Sequence, residues 1–126
     1  MRAFLGDESK LLQKEDWIRS RVQGLRIFPD AKGSMNLSLN DYLVASSQSG
    51  GILWVSQFTL AAELESGFRP SFSKAMEAVA AKERYDRFIK EIQVDKAKIK
   101  NIFGIFGDDM DLNFCNWGPV TIPLEC

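Results

Sequence analysis

The chain has 126 residues, 45% hydrophobic and 26% charged, with a net charge of −1; this is the balance of one ordinary globular domain, not of a disordered segment. It holds no histidine, which excludes Ser-His-Asp and Cys-His catalysis, His-based metal sites and an imidazole switch. The longest apolar-rich run, residues 51–62, is broken by Ser56, Gln57 and Thr59 and is too short to span a bilayer, and neither an export signal nor a cysteine cluster is visible around Met1, Cys115 or Cys126, so the expectation is a cytoplasmic protein without membrane or metal.

In chain order, Arg2–Leu5 is a short strand candidate. Asp7 or Ser9 can cap a following helix whose Leu11, Ile18, Val22 and Leu25 fall near one face, with Gly24 as its stop. Leu25–Phe28 reads as a strand, residues 29–33 as a turn, and Ser34–Leu39 as extended chain. A small-residue loop, Ser46–Gly51, leads into Ile52–Leu60, a β-branched and aromatic-rich strand candidate. A second helix follows, with Tyr85, Phe88, Ile89 and Ile92 at i, i+3, i+4 and i+7 on one buried face. Ile102–Phe106, Met110–Cys115 and Val120–Leu124 complete a strand-rich C-terminal half. There are no repeats, linkers or low-complexity tracts, so the expected fold is a single α+β domain over residues 1–126, with a mostly antiparallel, barrel-like sheet and at least two helices.

Charge is unevenly placed along the chain. Residues 82–100 carry Lys82, Arg84, Arg87, Lys90, Lys96, Lys98 and Lys100 against four acids, whereas residues 101–126 carry Asp108, Asp109, Asp111 and Glu125 and no base. By itself such a basic run reads first as a solvated helix face, because such helices are common, and second as a phosphate-contacting surface.

Two segments carry polar groups where an apolar strand is otherwise expected. In Ser56-Gln57-Phe58-Thr59-Leu60-Ala61-Ala62, two hydroxyls and an amide must be paired or open to a cleft, because burying one unpaired costs about 1–3 kcal/mol. In Asn116-Trp117-Gly118-Pro119-Val120-Thr121, proline removes a ladder donor, so Gly118-Pro119 marks either a simple turn or a bend that points its carbonyls outward.

These two segments also carry a resemblance. Residues 55–62 together with Gly67-Phe68-Arg69-Pro70-Ser71-Phe72-Ser73-Lys74 resemble the signature block of the D-aminoacyl-tRNA deacylases, and Asn116 with Gly118-Pro119-Val120-Thr121 is similar to that family's second motif. Arg26-Ile27-Phe28, Gly33-Ser34-Met35-Asn36-Leu37 and Tyr85-Asp86 fall in the family's order, so the resemblance runs from near residue 4 to the C-terminus.

The resemblance implies a deacylase-like fold and a cofactor-free homodimer with active sites at the subunit interface, hydrolysing the ester of D-aminoacyl-tRNA, and of glycyl-tRNA mischarged on tRNA-Ala, as translation proofreading. Ser56 would bind the substrate's 3′ end, Gln57 would orient it, and the backbone N–H groups of Phe58 and Thr59 would face the developing oxyanion. Gly118 and Pro119, reaching over from the other subunit with a cis bond in the family, would leave no room for an L side chain. Phe106 and Met110 match positions near the adenosine, although core packing is the other role open to both and the first reading for Phe106, and Lys82, Arg84, Arg87 and Lys90 are the expected tRNA contacts. A free threonine hydroxyl is a weak nucleophile without a base, so the expected attacker is water assisted by the tRNA 2′-hydroxyl, with Thr59 positioning groups.

Against the family pattern, the chain starts after the place of an N-terminal β-hairpin, an expected exposure of a sheet edge. It also carries Trp117 in place of Asp and Ile105 in place of Arg. The other readings of the scaffold are a catalytically impaired RNA- or protein-binding module and a hydrolase of another small acyl ester.

Overall fold

The structure is a computed structural model that describes residues 8–65, 67–94, 99–118 and 120–125. Its backbone divides into two compact units, one built on the described residues up to Gly51 together with those from Asn113 onward, the other on Ile52–Leu112.

The first unit opens with helix α1 (Glu8–Gly24). The face expected to turn inward, Leu11, Ile18 and Val22, is half-buried, as is Leu25 just past the helix end. Strands β1 (Phe28–Pro29) and β2 (Met35–Leu37) pair antiparallel, with Phe28 opposite Leu37 and Pro29 opposite Met35 and a register irregularity between the pairs. Asp30 organises the turn that joins them. Its carboxylate accepts from the backbone N–H of Lys32 (2.8 Å) and Ser34 (3.0 Å) and from the Asn36 amide (3.1 Å). Arg26 in turn donates to the carbonyl of Asn36 at 2.6 Å and to its side-chain oxygen. Helix α2 (Leu39–Ser46) follows, capped by Ser38, whose hydroxyl accepts from the Asp41 N–H, and Tyr42 on it stacks on Phe28 at 5.0 Å.

The second unit is a two-stranded sheet of β3 (Gly51–Trp54) and β4 (Lys100–Phe103) with helix α3 (Ala78–Val94). Both strands alternate, with Ile52, Trp54, Asn101 and Phe103 half-buried and Leu53 and Ile102 exposed. The Trp54 ring meets Phe88 of α3 edge-on at 5.3 Å and its indole N–H donates to Asn101 at 2.8 Å. Glu77 caps α3 by accepting from Val79 (3.0 Å) and Ala80 (3.1 Å). The expected α3 face is present; its Ile92 is fully buried and, with the nearly buried Ile99, makes up the buried apolar core among the described residues.

The α+β class and the two expected helices stand, with α2 as a third among the described residues. Several boundaries move. The strand expected over Leu25–Phe28 starts only at Phe28, because in the antiparallel register Phe28 faces Leu37, the last residue of β2, and beyond it Ser38 turns the partner chain into α2. The extended stretch Ser34–Leu39 stops at Leu37, where Ser38 turns the chain into α2. The strand expected over Ile52–Leu60 ends at Trp54. Its carbonyl accepts the Gly104 N–H (2.8 Å), after which β4 turns away and the polar residues Ser56 and Gln57 lead into a 3₁₀ turn, Phe58–Ala61. For the same reason the strand expected over Ile102–Phe106 is Lys100–Phe103, closed by a turn in which Asp108 N–H reaches Ile105 O at 3.4 Å.

The described residues of Met110–Cys115 and Val120–Leu124 form no strand, since a strand needs a paired neighbour and the two observed sheets hold only β1–β2 and β3–β4. No barrel closes among the described residues. The expected strand Arg2–Leu5 and the cap Asp7 lie outside them.

The Asp30 carboxyl is held below its ordinary value of 3.8, chiefly by the backbone N–H groups of Lys32 and Ser34. A depressed folded-state value makes its contribution present above the ordinary carboxylate range and lost as pH falls through the folded value. Asp30→Asn should therefore reduce the drop in thermal midpoint between about pH 6 and about pH 3, measured by circular dichroism; an unchanged drop would remove Asp30 from the acid response.

Candidate functional site

The second unit contains a pocket of about 370 Å³. It is lined by Ser56, Gln57 and Phe58 after β3, by Ala75, Met76, Ala78 and Ala81 around the start of α3, and by Phe106–Met110 after β4. Each wall follows from local chemistry. The 3₁₀ turn fixes Phe58: Leu60 N–H donates to Gln57 O (3.3 Å) and Ala62 N–H to Thr59 O (3.1 Å). Glu63 and Ser71 then exchange backbone hydrogen bonds at 2.8 and 2.9 Å, closing a loop that returns Phe72 to the Phe58 ring at 5.1 Å. Lys74 pairs with Glu63 across the same loop.

The opposite wall depends on Gly104. A β-carbon there would stand 3.0 Å from the Met110 sulfur, so the absent side chain lets Met110 fold back over the strand end and line the pocket. Phe106 does two jobs, lining the pocket and packing on the Tyr85 ring at 5.9 Å. The Tyr85 hydroxyl lies 2.9 Å from the Gly104 carbonyl and 3.2 Å from the Trp54 carbonyl, so one phenol sits against the last residue of β3 and the residue just past β4, where the two pocket walls begin. Burial first, and then the neighbouring Asp86 charge, push the Tyr85 phenol above its ordinary value, which keeps it a hydrogen-bond donor.

Of the residues singled out in the sequence, the pocket brings together Ser56, Gln57, Phe58, Phe106 and Met110. Thr59 follows Phe58 in the 3₁₀ turn and is exposed. Gly118 belongs to the first unit, at a φ of +151°, where a β-carbon would meet the Val120 nitrogen at 3.2 Å; Pro119 lies outside the described residues. Lys82 and Lys90 are exposed on α3, with Lys82 paired to Asp86 at 2.6 Å, whereas Arg84 and Arg87 are half-buried. Lys96 and Lys98 lie outside the described residues. Sequence reasoning missed Ala75, Met76, Ala78, Ala81, Asp108 and Asp109. The usable signal was the alanine-rich start of α3, where small side chains leave room beside a helix. Among the described residues, no three His, Cys, Asp or Glu side chains converge as a metal ion requires, and no helix is long and apolar enough to cross a membrane.

Comparison with known proteins matches residues 6–125 to the family described as D-Tyr-tRNA(Tyr) deacylase. A D-aminoacyl-tRNA deacylase of Desulfotalea psychrophila is 42% identical over 97% of this chain and 77% of its own. One of Aquifex aeolicus is 40% identical over 95% of this chain and 74% of its own. Among solved structures, a c-Myc DNA unwinding element binding protein superposes with a TM-score of 0.73 at 32% identity, over 90% of this chain and 73% of that one.

Tyr85→Phe keeps the ring against Phe106 and removes both contacts to the strand ends. It should lower stability by about 1 kcal/mol, read as a lower urea midpoint at unchanged slope. An unaltered midpoint would show that the two carbonyls need no phenol.

Proposed function

The chain belongs to the D-Tyr-tRNA(Tyr) deacylase family, and on that premise we propose that it hydrolyses the ester of D-aminoacyl-tRNA, releasing the D-amino acid and free tRNA. The observation that carries the proposal is the convergence of Ser56, Gln57, Phe58, Phe106 and Met110, from two separate sequence segments, on one pocket. In this reading Phe106 and Met110 face the terminal adenosine, Ser56 binds the 3′ end and Gln57 orients the ester. Phe58 and Thr59 open the 3₁₀ turn, where a backbone N–H has no preceding carbonyl in the turn to donate to. Those two N–H groups are the proposed oxyanion donors.

The chemistry is light because the aminoacyl ester is already activated. Water attacks the carbonyl carbon, the 2′-hydroxyl of the terminal ribose assists, and the 3′-oxygen leaves with the proton. Thr59 positions these groups. Chirality is proposed to come from Gly118–Pro119 of a second subunit, whose carbonyls occupy the space an L side chain needs; a glycyl ester, having no side chain, passes the same filter. The homodimer with shared active sites, the single deacylase-like domain, the barrel-like sheet completed by further strands, the cytoplasmic setting and tRNA contact through Lys82, Arg84, Arg87 and Lys90 belong to the same proposal. A second reading, a nucleic-acid-binding module without catalysis, is favoured by one observation, the likeness to a protein named for binding a DNA unwinding element.

The deciding assay is release of amino acid from D-aminoacyl-tRNA, with the L-form as control. Release of the D-form alone is expected, and tRNA binding without release of either would establish the second reading. Thr59→Ala should slow release modestly and keep the preference for D; complete inactivity with an acyl group trapped on Thr59 in the parent would make that hydroxyl the nucleophile instead. Gly118→Ala, which crowds Val120 at a backbone angle unfavourable to alanine, should cut D-ester cleavage by about tenfold or more and loosen discrimination against L-esters. Full activity with full selectivity would sink the occlusion mechanism.

A further inference from the structure

Helix α1 contributes nothing to the pocket described above, yet its charges are sorted by face. Lys10, Lys14, Trp17 and Arg21 are spaced i, i+4, i+7 and i+11, which places all four on one narrow stripe of the helix. The acids of the helix middle, Glu15 and Asp16, fall off that stripe, and Asp16 is paired to Arg19 at 2.5 Å. Trp17 is half-buried, with the Arg21 guanidinium 5.4 Å from its ring centre. Lys10, Gln13, Lys14 and Trp17 line an open hollow of about 460 Å³, with Glu125 of the same unit as its one acidic member.

An aromatic face between cations is suited to a flexible nucleotide strand. A base stacks on the ring, phosphates sit against the cations, and the arrangement tolerates any sequence because every base offers a π-face. A carboxylate at the rim adds an acceptor that a ribose 2′-hydroxyl can use, a group that DNA lacks. A solvated helix face, by contrast, has no use for a large indole held open beside three cations.

We propose that this stripe of α1 docks the RNA of the tRNA substrate, with an unpaired nucleotide on Trp17 and neighbouring phosphates on Lys10, Lys14 and Arg21. The proposal rests on the deacylase reading for the identity of the RNA, and it assigns tRNA contact to a helix other than α3. The charge complementarity of the stripe chooses a polyanion, and the indole and carboxylate choose RNA over a charged membrane surface.

The test compares the full-length protein with Lys10→Gln/Arg21→Gln and with Trp17→Phe. Each is measured on D-aminoacyl-tRNA and on the small ester D-aminoacyl-adenosine, which carries no further nucleotides or phosphates for the stripe to hold. The double variant should raise KM for the tRNA about tenfold and flatten the slope of log affinity against log salt by about 0.7–0.9 per lost contact, leaving kcat and KM on the small ester unchanged. Trp17→Phe should abolish part of the indole quenching that tRNA produces, with circular dichroism unchanged. Unchanged tRNA affinity and slope in the double variant, with the small ester still cleaved, overturns the docking surface alone. Failure of the unsubstituted protein to cleave either ester overturns the deacylase reading, while the salt slope of direct tRNA binding still decides the surface. Binding of phosphatidylserine vesicles in place of tRNA also overturns it.

Discussion

The Tyr85 hydroxyl is the junction on which the second unit depends. It sits against the carbonyls of Trp54 and Gly104, the residues at which β3 ends and just beyond which β4 turns. All three pocket walls leave from this junction: residues 56–58 from one strand end, 106–110 from the other, and Ala78 and Ala81 from the helix that carries Tyr85. A two-stranded sheet is marginal alone; here the Trp54–Asn101 hydrogen bond ties its strands together, and one helix holds it through the Trp54–Phe88 ring contact and this phenol. The site is therefore built on rigid strand ends, with the turns after them free to supply chemistry.

The same unit leaves much apolar surface uncovered. Leu53 and Ile102 occupy the sheet face away from α3, and Phe58, Leu60, Phe68 and Ile105 are exposed near the turns, while among the described residues only Ile92 and Ile99 are buried. At about 25 cal/mol per Å² of apolar area, such exposure forfeits several kcal/mol that association recovers. Exposed large apolar side chains in this number are the raw material of an association face in soluble proteins. The proposed homodimer thus has an energetic motive in this chain's own surface, independent of the family resemblance.

Legibility in the sequence followed the range of the interactions involved. Helices α1 and α3 were readable because periodicity and local stops such as Gly24 are near-neighbour properties. Helix α2 went unread although Ser38 and Asp41 stand three apart as a cap pair, because eight residues carry too little periodicity to outweigh the strand-like Met35–Leu37 before them. Strand ends were misplaced because length is set by the partner: Ile52–Leu60 has strand composition throughout, yet pairing stops where β4 turns away. The pocket's polar segment was readable from Ser56 and Gln57 in an apolar context, whereas Ala75, Ala78 and Ala81 matter for the room they leave, which no single residue announces.

A site without histidine must place its chemistry elsewhere, and this one offers oriented amides, an amide side chain and a shaped apolar wall. Asp108 and Asp109 stand on the pocket's β4 side, joined by the Asp109 N–H donating to the Asp108 carboxylate at 3.1 Å. Two carboxylates there repel phosphate and attract an ammonium group. The polyanionic remainder of a tRNA must then be held by cations lying outside the pocket. Exposed lysines on α3 and the cationic stripe on α1 both meet that need, whereas the pocket itself, being acidic on one side, does not. In the proposed division of labour, charge leaves the ester end to the pocket and assigns affinity for the nucleic acid to other surfaces.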